Sequence, residues 1–436
     1  MTQQDNDIDD FFSTARVSGR EEAVELTADS YREHLIDLDD PLLANVRGMS
    51  YEEFTADRAQ AEFLRELLEF WKGLYDEPFA GVTADGTVRE GLYRLPAVAE
   101  PDPEPASAAE RLLALLSPEE RGRIGYPLDA PEWRGWSNPE FVFFRNGLRL
   151  EDQRDEVVRA ILAVVEASLS PEGYAGAREA MDLNGYLGEL VDLPTIMNNR
   201  SYWFSLFGTP SATEPWGWQL FGHHLALNFV RVGGRDVIAP VFIGAEPALS
   251  DGERPPLFDA RERIAIRLGE SLAPAQRERA VVYRSVLDPA MPEGRLHPAD
   301  ERHVAGAFRD NRVVPVEGIP ASELDPGQRA LLREIAADFL LLLREDAREA
   351  TLADYDAHLD ETWFSWYGAT DGSQPFYLRI QSPVLLAELD HHAGVWLNNR
   401  LPARFHVHTT LRMPNGGDYG KAHLAEWRAR ESGELS

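Results

Sequence analysis

Cysteine is missing from all 436 residues. That excludes disulfides and thiolate ligation, so any bound metal must be held by His, Asp, Glu or water. Long apolar runs are missing too, and none approaches the ~20 residues that a membrane-crossing helix requires. The opening MTQQDNDIDDFFSTARVSGREEA has neither the basic region nor the apolar stretch of an export signal, so a cytoplasmic location is expected. Positive charge is scarce: 43 Lys and Arg stand against 74 Asp and Glu, a net charge of −31. Such a field repels nucleic acid and anionic membranes, which leaves a small molecule as the expected partner. The familiar catalytic templates are also absent. There is no GxSxG elbow, P-loop, GxGxxG after a strand, HExxH or EF-hand loop.

With 44% hydrophobic residues the chain can bury a large core, and the expected class is α+β, as two subdomains or one large unit. Residues 1 to about 20 read as an acidic tail. Helical patterns follow at Glu22–Ile36 and Ala56–Leu74, where Phe63, Leu64, Leu67, Leu68 and Trp71 recur at helical spacing as core residues. The stretch Pro96–Pro105 (PAVAEPDPEP) reads as a linker. Residues 21–107 are therefore an N-terminal helical segment with its connector.

Beyond it, the chain repeats itself at an offset of 160. Trp203-Phe204-Ser205-Leu206-Phe207-Gly208 matches Trp363-Phe364-Ser365-Trp366-Tyr367-Gly368, and Pro215 falls on Pro375. Upstream, Leu115-Leu116-Ser117-Pro118 parallels Ser271-Leu272-Ala273-Pro274 ahead of one helix, and Gln153-Arg154 parallels Gln328-Arg329 inside another. The expected architecture is two pseudo-repeated helix–helix–hairpin–strand units, 108–257 and 258–425, around a central cleft, with a short tail over 426–436.

Histidine is where chemistry concentrates. Gly222-His223-His224-Leu225, Glu388-Leu389-Asp390-His391-His392 and Phe405-His406-Val407-His408 place most of the eleven histidines beside strand-like segments. The offset lays Trp216–Phe229 on Phe376–Leu389, and strand alternation then separates the faces. Leu225, Leu227 and Phe229 mark the core in the first copy, as Leu385, Ala387 and Leu389 do in the second. His224, Ala226 and Asn228 fall opposite, on the face shared by Glu388 and Asp390. His406, His408 and Thr410 share one face of the last strand, and an i, i+2 imidazole pair converges on one point.

The expected site is therefore a transition metal held by His224, His406, His408 and Glu388. Glu388 or Asp390 serves as acid or base, and His223 and Thr410 support the ligands. Arg379, Asn228 and Trp218 are candidate substrate contacts, Arg379 through bidentate binding of a carboxylate. His391 and His392 read as loop or supporting residues, and His34, His297, His303, His358 and His423 as structural. Iron, copper, manganese and zinc all suit such ligands. Iron or copper would favour oxygen-dependent oxidation, and zinc would favour hydrolysis. A metal-free binding or scaffold protein is the third alternative.

Several segments resemble the bacterial family catalogued as domain of unknown function 3500. They are Tyr202 through Pro210, Pro215-Trp216-Gly217-Trp218 through Gly222-His223-His224-Leu225-Ala226-Leu227-Asn228, and Gly244-Ala245-Glu246-Pro247-Ala248. Arg379-Ile380-Gln381-Ser382-Pro383 leading to Glu388, then His406-Val407-His408 and Asp418-Tyr419-Gly420, resemble that family's closing pattern. The likeness covers roughly residues 110 to 425. It departs at Thr410-Leu411-Arg412-Met413-Pro414, where Trp-Arg-Asp-Pro is usual, and at His391, where Asn is common. The resemblance implies where the site lies and leaves the reaction to the residues.

Overall fold

Near-continuous apolar runs such as Tyr202–Phe207 and alternating ones such as Trp216–Phe221 build strands that bury both faces. The computed structural model describes residues 30–96, 102–251, 254–297 and 299–433; the expected tail over 1–20 lies outside them. The strands are β1 (Gly125–Tyr126), β2 (Leu148–Arg149), β3 (Tyr202–Gly208), β4 (Trp216–Gly222), β5 (Leu225–Val232), β6 (Arg235–Ala245), β7 (Val281–Tyr283), β8 (Ile319–Pro320), β9 (Trp363–Tyr367), β10 (Tyr377–Gln381), β11 (Leu386–His391) and β12 (Val407–Arg412). They form one sheet in the order β1-β3-β4-β5-β6-β12-β11-β10-β9-β7, with β2 added to β3 and β8 to β9. Pairing is antiparallel except for β1 with β3 and β7 with β9. Twelve α-helices accompany the sheet among the described residues, so the fold is mixed α/β. None of these helices is long and apolar enough to cross a membrane.

One face of the sheet carries Phe204, Leu206, Trp216, Trp218, Leu225, Leu227, Phe229, Ala387, Leu389, Leu378, Phe364 and Trp366, all in one buried cluster. Helices 155–168, 171–190, 259–271 and 326–339 bury their apolar stripes against it. Burial on this scale supplies the main favourable term in folding. The other face presents Phe207, Phe221, Ala226, Val230 and Phe242. It is covered by the N-terminal segment through Phe54, Leu64 and Trp71, and by Trp133, Trp136, Phe308 and Trp396. Trp133 stacks on Phe207 at 3.7 Å between ring centroids.

Three expectations change. The pattern over Ala56–Leu74 is two helices, Tyr51–Arg58 and Glu62–Asp76, because Ser50 with Glu53 forms a capping box that starts a helix earlier than the apolar spacing indicates. Gln153-Arg154 precedes its helix, which begins at Asp155, whereas Gln328-Arg329 lies inside Pro326–Phe339. Residues 426–431 of the expected tail belong to helix Lys421–Glu431, and 434–436 lie outside the described residues. At the seam between β6 and β12, a cavity of about 380 Å³ is lined by Val241, Ile243, Thr409 and Leu411. It opens on the helix-covered face, and the histidines lie on the other.

Candidate metal centre

β11 and β12 pair with Asp390 opposite His408 and Glu388 opposite Thr410, and β12 pairs with β6 so that His408 faces Gly244. Asp390, Glu388, His408 and Thr410 therefore stand on the same face, the one covered by the N-terminal segment. His224 arrives from the tight turn between β4 and β5, with φ of 61°, and its carbonyl accepts from the Gly244 N–H at 2.8 Å. His406 sits just ahead of β12.

The three imidazoles converge. His224, His406 and His408 each offer a nitrogen within 4.8 Å of the others, and their ring centroids lie 4.8–5.5 Å apart. His406 Nδ1 faces the Ala393 carbonyl at 2.7 Å. A carbonyl only accepts, so Nδ1 carries the proton and Nε2 is left as a lone pair. That nitrogen lies 3.1 Å from His408 Nε2. Nitrogens about 2.0–2.1 Å from one ion lie about 3 Å from each other, so this spacing suits two ligands of a single metal.

Burial pushes His224 and His408 well below the ordinary imidazole range, helped by the neighbouring imidazoles. Both are neutral at neutral pH, the form that ligates metal. The His223 ring stacks on His224 at 3.8 Å, and its Nδ1 meets Asn184 Oδ1 at 2.8 Å. Burial pushes its imidazole down to about 3.

Glu388 is not among these ligands. Its carboxylate accepts from Val304 N at 2.8 Å, Ala305 N at 3.0 Å and the Tyr377 hydroxyl at 2.7 Å, and so anchors the 303–305 backbone. Asp390 accepts from Arg302 Nε at 2.6 Å. Burial would raise its pKa, but Arg302 and then His392 outweigh burial and hold it below the usual carboxylate range. An acid–base role for either carboxylate therefore conflicts with its pairing.

The expected substrate contacts are also reassigned. Trp218 lies on the opposite, helix-covered face, stacked on Phe229 at 5.5 Å with its Nε1 donating to Ser168. Asn228 bonds Gln219 and the Pro240 carbonyl inside the sheet. Arg379 is buried against Glu317 and the Pro315 carbonyl. Thr410 supports a histidine, but a different one, sharing a 2.6 Å hydrogen bond with His303 Nδ1.

Two histidines assigned elsewhere belong to the cluster. The His392 ring lies 3.8 Å from that of His408, and His303 stands 5.9 Å from His392. His303, Asp390 and His392 form a second group whose ligand atoms lie within 4.8 Å of one another. His391, by contrast, turns to the other face, against Phe376 and Glu262. Nothing local marks His303. Its only signal is that Glu388, two strand positions from Asp390, needs backbone donors that its own strand does not supply.

Gly244 makes room for the first group. A β-carbon there would lie 2.6 Å from His408 Cδ2 and 3.0 Å from His224 Cδ2. Gly244→Ala is expected to push the imidazoles apart and weaken metal binding by about 10–100-fold, the loss typical when a support of a ligand is removed. Competition against a chelator measures it, and an unchanged affinity would dissociate His408 from the metal.

The fold and site define a mixed α/β protein with buried histidine groups able to hold a metal. The chain belongs to the family described as Protein of unknown function (DUF3500), which matches residues 99–421. No curated protein and no solved structure matches it.

Proposed function

We propose that this protein is a metal-dependent enzyme that oxidises a small organic molecule with dioxygen, using iron or copper held by His224, His406 and His408. The observation that carries the reading is the 3.1 Å approach of two Nε2 atoms, one of them fixed as a lone pair by the Ala393 carbonyl. Neutral imidazoles are good ligands for both metals. The metal supplies the electron transfer when bound; the chain orients the imidazoles and excludes water. Hydrolysis at zinc is the weaker reading, because it needs a carboxylate free to take a proton from water. Glu388 is saturated by two amides and a hydroxyl, and Asp390 is paired with Arg302.

We also infer that the sheet arose by internal duplication, with the centre near the junction of its halves. β2 meets β3 at Leu148 and Phe204, and β8 meets β9 at Ile319 and Phe364. Gly147 and Gly318 precede these short strands with the same φ of 87°, and a β-carbon at either would strike the carbonyl of Phe204 or Phe364. Such coincidence at positions where only glycine fits supports a common origin of the halves.

Elemental analysis of the purified full chain tests the function. At least one equivalent of iron or copper is expected, falling by tenfold or more when His406 and His408 are both replaced by Ala. Stoichiometric zinc would turn the reading to hydrolysis. Less than about a tenth of an equivalent of any transition metal, with folding unaffected by the double replacement, would leave a metal-free binding protein.

A further inference from the structure

We propose that His303, His392 and Asp390 form a second metal site in contact with the first, so that the protein carries a two-ion centre. This extends the metal reading of the His224, His406 and His408 group and adds a site beside it.

The second group is built as a ligand set. His303 and His392 are only 3% and 2% exposed, and Asp390 is fully buried. Among the described residues, no group hydrogen-bonds the Nε2 atom of His303, and His392 Nε2 has a carboxylate oxygen, Asp390 Oδ2, as its one polar neighbour. A buried nitrogen left without a partner is costly, so His303 Nε2 beside the His392–Asp390 pair calls for a ligand. His303 is oriented for this purpose, because its Nδ1 is engaged by the Thr410 hydroxyl at 2.6 Å and its Nε2 is therefore the atom left to ligate. His392 Nε2 lies 3.1 Å from Asp390 Oδ2, the same edge length seen in the first group. Its Nδ1 lies 3.5 Å from Glu301 Oε1.

Charge points the same way. Asp390 and Glu301 share a single guanidinium, that of Arg302, which leaves the pair with net negative charge beside two imidazoles. Arg302 Nε occupies Asp390 Oδ1, and among the described residues Oδ2 meets only the Arg302 backbone N–H at 3.2 Å besides His392. Two imidazoles and one carboxylate suit a divalent first-row ion with open coordination positions. The ring of His392 touches that of His408, so two ions held by these neighbouring sets are close enough to couple magnetically.

The test loads the chelator-stripped full chain with Co²⁺ or Cu²⁺ alone. Equilibrium dialysis should give two equivalents of Co²⁺, and the Cu²⁺ form should show a spin-coupled resonance signal. His303→Gln, which can keep the Thr410 hydrogen bond, and His392→Gln should each retain one equivalent and give an uncoupled Cu²⁺ signal. His406→Gln should leave the second equivalent in place, with thermal melting confirming the fold of each variant. One equivalent in the parent chain, kept by His303→Gln and lost by His406→Gln, overturns the second site and leaves the first. One equivalent lost by His303→Gln and kept by His406→Gln overturns the first site and the two-ion centre together. No binding at all overturns both.

Discussion

Replacing Arg302 by Met is expected to lower stability by about 3–5 kcal/mol at neutral pH, the loss typical of removing one partner from a buried ion pair. The guanidinium donates to Asp390 Oδ1, to Glu301, and to the carbonyls of Val286 and His391, all without contact with solvent. Without it, two buried carboxylates lose their cation. The pH dependence identifies the cause. Arg302 is the chief group holding Asp390 below its ordinary value, so in the parent chain this stabilisation is complete above about pH 4 and disappears as pH falls through the lowered value. In the variant, burial is opposed only by His392 and His303, so the carboxyl rises, takes up a proton as pH falls and relieves the strain. The gap between parent and variant should be widest at neutral pH and narrow steadily toward pH 4. Urea midpoints across that range measure it, and a gap constant with pH would show that Arg302 acts through packing instead of charge.

Glu388→Ala is expected to be nearly as damaging, about 3–5 kcal/mol, because the N–H groups of Val304 and Ala305 and the Tyr377 hydroxyl lose a buried acceptor together. The 303–305 backbone would detach from β11 and carry His303 with it. Glu388→Gln keeps one acceptor oxygen and should cost less than half as much. The decisive readout is metal content. A residue that anchors backbone and binds no ion predicts full occupancy of the His224, His406 and His408 group in Glu388→Gln. A tenfold fall in occupancy there, with the fold intact, would restore Glu388 as a ligand.

These two residues show what the sequence makes legible. Alternation along β5 and β11 places Leu225, Leu227, Leu389 and Glu388 on their observed faces, since a strand has only two. The i, i+2 spacing of His406 and His408 identifies their convergence for the same reason. Trp218 is misplaced until register is considered: it pairs with Phe229, and cross-strand partners share a face, so it joins the core. Parity tells that Glu388 points toward the site but not what meets it. The donors to Glu388 come from a segment without periodicity some 84 positions earlier, and no local pattern announces such a crossing. His303 is hidden by the same distance. His392 is hidden by its position just past the end of β11, where alternation no longer constrains a side chain.

The five clustered imidazoles are all at most 4% exposed, beneath a lid that includes Phe54, Trp136, Phe308 and Trp396. For an ion enclosed in this way, residence time is set by the chain. A chelator in solution must wait for the lid to open, so stripping should proceed at a rate independent of chelator concentration, and mild denaturant should accelerate it in proportion to the open population. Affinity at equilibrium and persistence in time are then separate properties of the same centre, the first belonging to the imidazoles and the second to the aromatic cover above them.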